Sequence, residues 1–135
     1  IYNDPAVVSC TGEIVYFGTG TVVAGDLYYL NSSSVWTIVD ADAAASATGL
    51  LGIALTTNAA TGGMLLRGRA RFATTHYAAL TTVGAPLYAS VTPGEFSQTA
   101  PVGTADIVRI IGYVLSITSP DEIYFCPDNT WVEII

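Results

Sequence analysis

Three arginines stand on alternate residues of "MLLRGRARF", Met64 to Phe72: Arg67, Arg69 and Arg71. They are three of the four cationic residues in a chain without lysine, and the fourth is Arg109. An extended strand repeats every second residue, so the three guanidinium groups share one face. Met64, Leu66, Gly68, Ala70 and Phe72 then share the opposite face, toward a core. Guanidinium forks pair bidentately with carboxylates and are enriched where proteins touch. The chemistry of this row is therefore carboxylate recognition. Its targets are either scattered surface acids, at about 0–1 kcal/mol per pair, or the acids of a neighbouring subunit. "RGR" also occurs in minor-groove hooks, but those lie in basic tails, and this chain carries a net charge of −7.

Other reactive groups are sparse. His76 is the single histidine, which excludes histidine-pair metal sites and two-histidine relays. It reads as a linker or interface residue. Asp40 and Asp42 in "DAD", and Asp121 and Glu122 in "PDE", are the closest carboxylate pairs. Neither has the spacing of a calcium loop, and nothing marks a groove for paired-carboxylate hydrolysis. No GxSxG elbow, P-loop or GxGxxG is present. The expectation is a non-enzyme without metal or cofactor. Cys10 and Cys126 sit near opposite ends. They read as apolar fillers before they read as a disulfide, and their spacing matches no zinc motif. Tyr28, Tyr29, Tyr88, Tyr113, Tyr124, Phe125, Trp36 and Trp131 fall mostly within strand-like runs, which suits packing better than a sugar platform.

Only 11% of residues are charged and 51% are hydrophobic, against about 25% charged in ordinary soluble domains. Thr, Ser, Asn and Ala must cover much of the surface, and part of it is expected to be buried against neighbours. The acidic balance disfavours nucleic acid and anionic membranes. The longest uncharged run, Ala43 to Leu66, is broken by glycines and threonines, so no membrane-spanning helix is expected. The chain opens on Ile1, and is expected to be processed or trimmed.

The elements that would hold these residues are strands. Val, Ile and Thr make up 41 of the 135 residues, and they suit pleated, half-buried segments. "EIVYF", "DLYYL", "VWTIV", "GLLGIAL", "PLYAS", "DIVRIIGYVL", "EIYFC" and "TWVEII" alternate with turn signals such as "VAGD", "NSSS", "TPGE" and "CPDN". An internal repeat orders them. "VAGDLYYLNSSSVW" answers "TVGAPLYASVTPGEF", and "LLGIAL" answers "IIGYVL". Gly25 to Gly52 spans 27 residues and Gly84 to Gly112 spans 28. "MLLRGRARF" and "EIYFC" are the returning strands of the two copies. The predicted fold is all-β: a compact antiparallel barrel or sandwich of two pseudo-repeated units, pseudo-twofold, with little or no helix. Residues 1–19 are an N-terminal arm or edge strand, residues 20–135 one β domain, and the copies run about 20–72 and 82–134. "ADAAASAT" is expected as a loop or single turn, because its partner "APVGTADI" holds Pro101 and Gly103. Gly25 and Gly84 are expected at positive φ in tight turns, and Gly52 and Gly112 at a bulge or bend.

These strands and glycine turns, from about Thr21 to Glu133, resemble β-rich domains of tailed-bacteriophage virion proteins, both capsid decoration (cement) proteins and fibre or tail appendages. The resemblance implies an oligomer, a homotrimer above other states, that sits on the virion and binds other virion proteins, the major capsid protein first. It implies no catalytic residue. The expected function is a structural virion protein that decorates or cements the capsid; the alternative is an appendage domain that binds a host surface glycan. Arg67, Arg69 and Arg71 are the expected interface residues.

Overall fold

The computed structural model describes residues 7–72, 80–118 and 121–135, with the side chains of residues 7–9 left aside. Residues 73–79, and His76 with them, lie outside the described residues. The fold is mostly strand, 44% against 6% helix, and its main sheet curls strongly into an antiparallel half-barrel. This is the all-β architecture expected from the sequence.

The first unit comprises β2 (Leu27–Leu30), β3 (Trp36–Ile38), β4 (Leu51–Ala54) and β5 (Met64–Phe72). The second comprises β6 (Pro86–Ala89), β7 (Phe96–Ser97), β9 (Ile110–Ser116) and β10 (Asp121–Phe125). Across the main sheet the order is β3-β2-β4-β5-β10-β9-β6-β7. Each unit thus lays its strands down in the same order, and the two meet where β5 pairs with β10. β1 (Val7–Val15) runs antiparallel along the length of β5. A two-residue strand β8 (Ile107–Val108) pairs apart from the main sheet with β11 (Val132–Glu133). Arg109 therefore falls at the break between β8 and β9.

The units match bond by bond. Gly25 N–H donates to Ala54 O and Gly84 N–H to Val114 O, each at 2.8 Å. Ala54 N–H returns to Asp26 O at 3.1 Å, as Val114 N–H does to Ala85 O at 3.0 Å. Tyr28 faces Gly52 across its pair, and Leu87 faces Gly112. Trp36 faces Leu30, and Phe96 faces Ala89. Gly25 and Gly84 have φ of +91° and +83°, the conformation that their tight turns require of glycine. Gly112 lies next to a register shift, opposite which Leu87 and Tyr88 pair with Gly112 and Ile110. Gly52 does not: its register is regular, and the missing Cβ instead admits the Trp36 ring, which would lie 3.2 Å from it.

The units share topology but not faces, a correction to the expected pseudo-twofold. In the first, Leu27, Ile53 and Leu65 enter the main core, while Tyr28, Trp36, Ala54 and Met64 form a second cluster on the other side of the sheet. In the second, the counterparts of that second cluster, Leu87, Phe96, Val114 and Ile123, are the ones that enter the main core. The cause lies in β5. Glu13 pairs with Arg67 and Ile14 with Leu65, which leaves Leu66 as an extra residue. Such a bulge shifts every later side chain to the other face. Met64 consequently points into the second cluster, whereas Ala70 and Phe72 enter the main core.

Among the described residues helix is confined to single turns. Ala44–Ser46 in "ADAAASAT" is one 3₁₀ turn, in line with the expected loop or turn. A four-residue turn, α1 (Ala59–Gly62), was not legible beforehand. The Asn58 side chain caps it by accepting from the N–H groups of Ala60 and Thr61 at 3.0 and 3.1 Å.

Candidate interaction surface

Beyond the bulge β5 alternates as the sequence demands: Arg67, Arg69 and Arg71 are exposed, and Gly68, Ala70 and Phe72 are buried. Before it the alternation fails. Leu65 rather than Leu66 enters the main core, and Leu66 is half-buried against the second cluster.

The structure divides the arginine row. Arg69 donates Nε–H to Glu122 Oε2 at 2.6 Å and pairs through Nη2 with the same carboxylate. Arg71 Nε lies 3.8 Å from Glu122 Oε1. Glu122 is thus held between two forks, with its side chain only 12% exposed. Arg67 forms no ion pair among the described residues; it lines a separate cleft.

Arg69 also belongs to a cross-strand row. It pairs with Tyr124, Tyr124 with Tyr113, and Tyr113 with Pro86. Directly opposite residues project on the same side of a sheet, so this row crosses the outer face of the second unit. Tyr113, Leu115 and Tyr124 on that face are 41%, 41% and 36% exposed. Among the described residues no segment covers them. The corresponding region of the first unit is covered. Phe17 packs edge-on to Trp36 with ring centroids 6.2 Å apart, and Phe17 O accepts from Trp36 Nε1–H at 3.0 Å. Val22 and Ala59 complete the second cluster there. Tyr28 is buried, and its hydroxyl accepts from Val23 N–H at 2.8 Å. The aromatic residues therefore split, with Tyr28, Trp36 and Phe125 packed inside and Tyr113, Tyr124 and Trp131 exposed.

Arg109 is the one buried charged residue among the described residues. In the sequence it reads as part of an apolar strand, and its one signal is a single arginine inside "DIVRIIGYVL". Nε–H donates to Asp128 O at 2.9 Å, and Nη1 donates to Ala47 O and Gly49 O at 3.1 and 2.8 Å. The guanidinium carbon lies 5.3 Å from the centroid of the Trp131 ring, within cation–π range. Burial pushes its pKa down, and the Asp128 carboxylate partly opposes this. One arginine thus ties the loop after the 3₁₀ turn to the loop after β10. Between them lies a cleft of about 450 Å³, lined among others by Glu13, Arg67, Arg109, Asn129 and Trp131.

The remaining reactive groups stand apart. Cys10 and Cys126 are both half-buried, and burial pushes the pKa of the Cys126 thiol up, with Arg67 lowering it by less. Asp42 N–H donates to Asp40 Oδ1 at 3.1 Å, and the neighbouring Asp40 charge pushes the Asp42 carboxyl up. Among the described residues no three His, Cys, Asp or Glu side chains gather as a metal site would require. No helix of the described residues is long and apolar enough to cross a membrane.

Compared with known proteins, the chain matches no family profile, no curated protein and no solved structure.

Proposed function

We propose that this protein is a structural subunit of a bacteriophage particle. It oligomerises, as a homotrimer, and decorates or cements the capsid through protein–protein contacts, without catalysis of its own. The observation that carries this reading is the bare outer face of the second unit, where Tyr113, Leu115 and Tyr124 lie beside Arg69 and Arg71. Exposed aromatic rings next to arginine forks have the composition of an interface centre. Charge complementarity points to a sister copy as the first occupant, since each chain carries 11 carboxylates against four arginines. The sparse surface charge and the resemblance of the strand-and-turn pattern to phage decoration and appendage proteins support the same reading. Particles assembled without the protein should lose shell stability to heat or low salt while still adsorbing to cells. Loss of adsorption with an intact shell would contradict it.

A further inference from the structure

The cleft beside Arg109 is not used by that assembly reading, and it has the features of a ligand site. Arg109 is only 5% exposed. Its Nε and Nη1 are spent on three backbone carbonyls. Its Nη2 makes none of these bonds, and since no fully buried side-chain nitrogen among the described residues lacks a partner, it is open to solvent where the residue lines the cleft. A buried charge is normally paired with a counter-ion, and Arg109 makes no salt bridge within the described residues. The nearest acid, Asp128, contributes its carbonyl, while its carboxylate accepts from Thr130 N–H and Oγ1–H at 3.1 Å. Arg67 brings a second guanidinium to the same cleft, and Glu13 brings one carboxylate. The two guanidinium groups supply the anion contact, while Glu13 in the lining and the Asp128 carboxylate that acts on Arg109 oppose a dianion. Glu13 and Asn129 offer partners for hydroxyl groups, and Trp131 offers an apolar ring edge or face.

We propose that this cleft binds a sugar acid: its carboxylate meets Arg109 Nη2 and Arg67, its hydroxyls meet Glu13 and Asn129, and its C–H surface rests against Trp131. A cleft of about 450 Å³ has room for one such ring. The site functions on the isolated chain and is independent of assembly on a particle.

The test uses the indole N–H signals in a nitrogen–proton correlation spectrum of the full chain. The two tryptophans give two signals, and Trp131→Phe identifies which belongs to the cleft. Glucuronate should shift the Trp131 signal saturably and leave that of Trp36, which is bonded to Phe17 O, in place. Glucose, which lacks the carboxylate, and acetate, which lacks the ring, should each leave the Trp131 signal nearly unmoved at equal concentration. Arg67→Ala, an exposed site that should fold normally, should weaken glucuronate binding by about fivefold or more. Glucuronate that shifts neither signal up to about 20 mM, far weaker than a built site should bind, would overturn the proposal. An equal response to glucose would likewise overturn it, as would an equal response to acetate, which would reveal a bare anion contact.

Discussion

The two halves of this molecule are built from one strand plan and end in opposite states. The first unit is buried on both sides of its sheet, by the main core on one and by Trp36, Tyr28 and Met64 under the segment after β1 on the other. Among the described residues the second unit has only the main core, and its other side carries exposed Tyr113, Leu115 and Tyr124. A repeated topology therefore does not imply repeated function. The bulge at Leu66 exchanges which face of the unit meets the core, and the face left over is the one that acquires arginines. The arginine row lies on β5, the strand of the first unit that pairs with the second, beyond the point where parity changes.

The contrast can be broken most severely at its covered side. Trp36→Ala should cost about 3–5 kcal/mol, because the ring is 2% exposed and donates a hydrogen bond. Tyr113→Ala in the second unit should stay within about 0.5–1 kcal/mol in the dissociated chain. Urea unfolding of both variants checks the pair, and equal losses would mean that the second face is covered too.

The paired glycines sharpen it next. A Cβ at Gly112 would lie 2.2 Å from Tyr124 O, a backbone atom of the neighbouring strand. A Cβ at Gly52 would meet the Trp36 ring at 3.2 Å, which can shift. Gly112→Ala should therefore lose about 3 kcal/mol and Gly52→Ala about 1 kcal/mol, read by thermal melting. Arg109→Gln should cost about 2–3 kcal/mol, since three carbonyls lose their charged donor.

The arginine row gives the smallest effect. Glu122→Gln should cost about 1 kcal/mol or less, because its partners Arg69 and Arg71 are 61% and 45% exposed. The loss should shrink as salt is added, and a salt-independent loss would show that Glu122 matters for packing instead.

Much of the fold was legible in the sequence, because its causes are local. Gly25 and Gly84 announce positive-φ turns, and strand runs between turn signals announce the sheet. Their alignment also predicted which strands correspond. The exchange of faces was not legible, because it rests on one extra residue in β5, and "LLRGR" carries no mark of where the ladder slips. The assignment of Leu66 to the core failed for that reason. Of the bulge or bend expected at Gly52, the regular register shows no bulge; the missing Cβ there admits Trp36, which is remote in sequence. Arg109 was passed over because its three carbonyl partners come from loops at residues 47–49 and 128. Arg67, Arg69 and Arg71 were seen as one exposed row, but the partner that separates Arg67 from the others, Glu122, is brought in by the second unit.

The account turns on the bare face of the second unit being the surface through which copies assemble. Its most direct test is the mass in solution of the native chain and of a Tyr113→Glu, Tyr124→Glu double variant, by sedimentation or light scattering. The account predicts a native oligomer, a trimer of 14.1 kDa chains, and a variant that is monomeric with an unchanged β-sheet circular dichroism spectrum. A folded variant with the native mass, or a native chain that stays monomeric at high concentration, would contradict it.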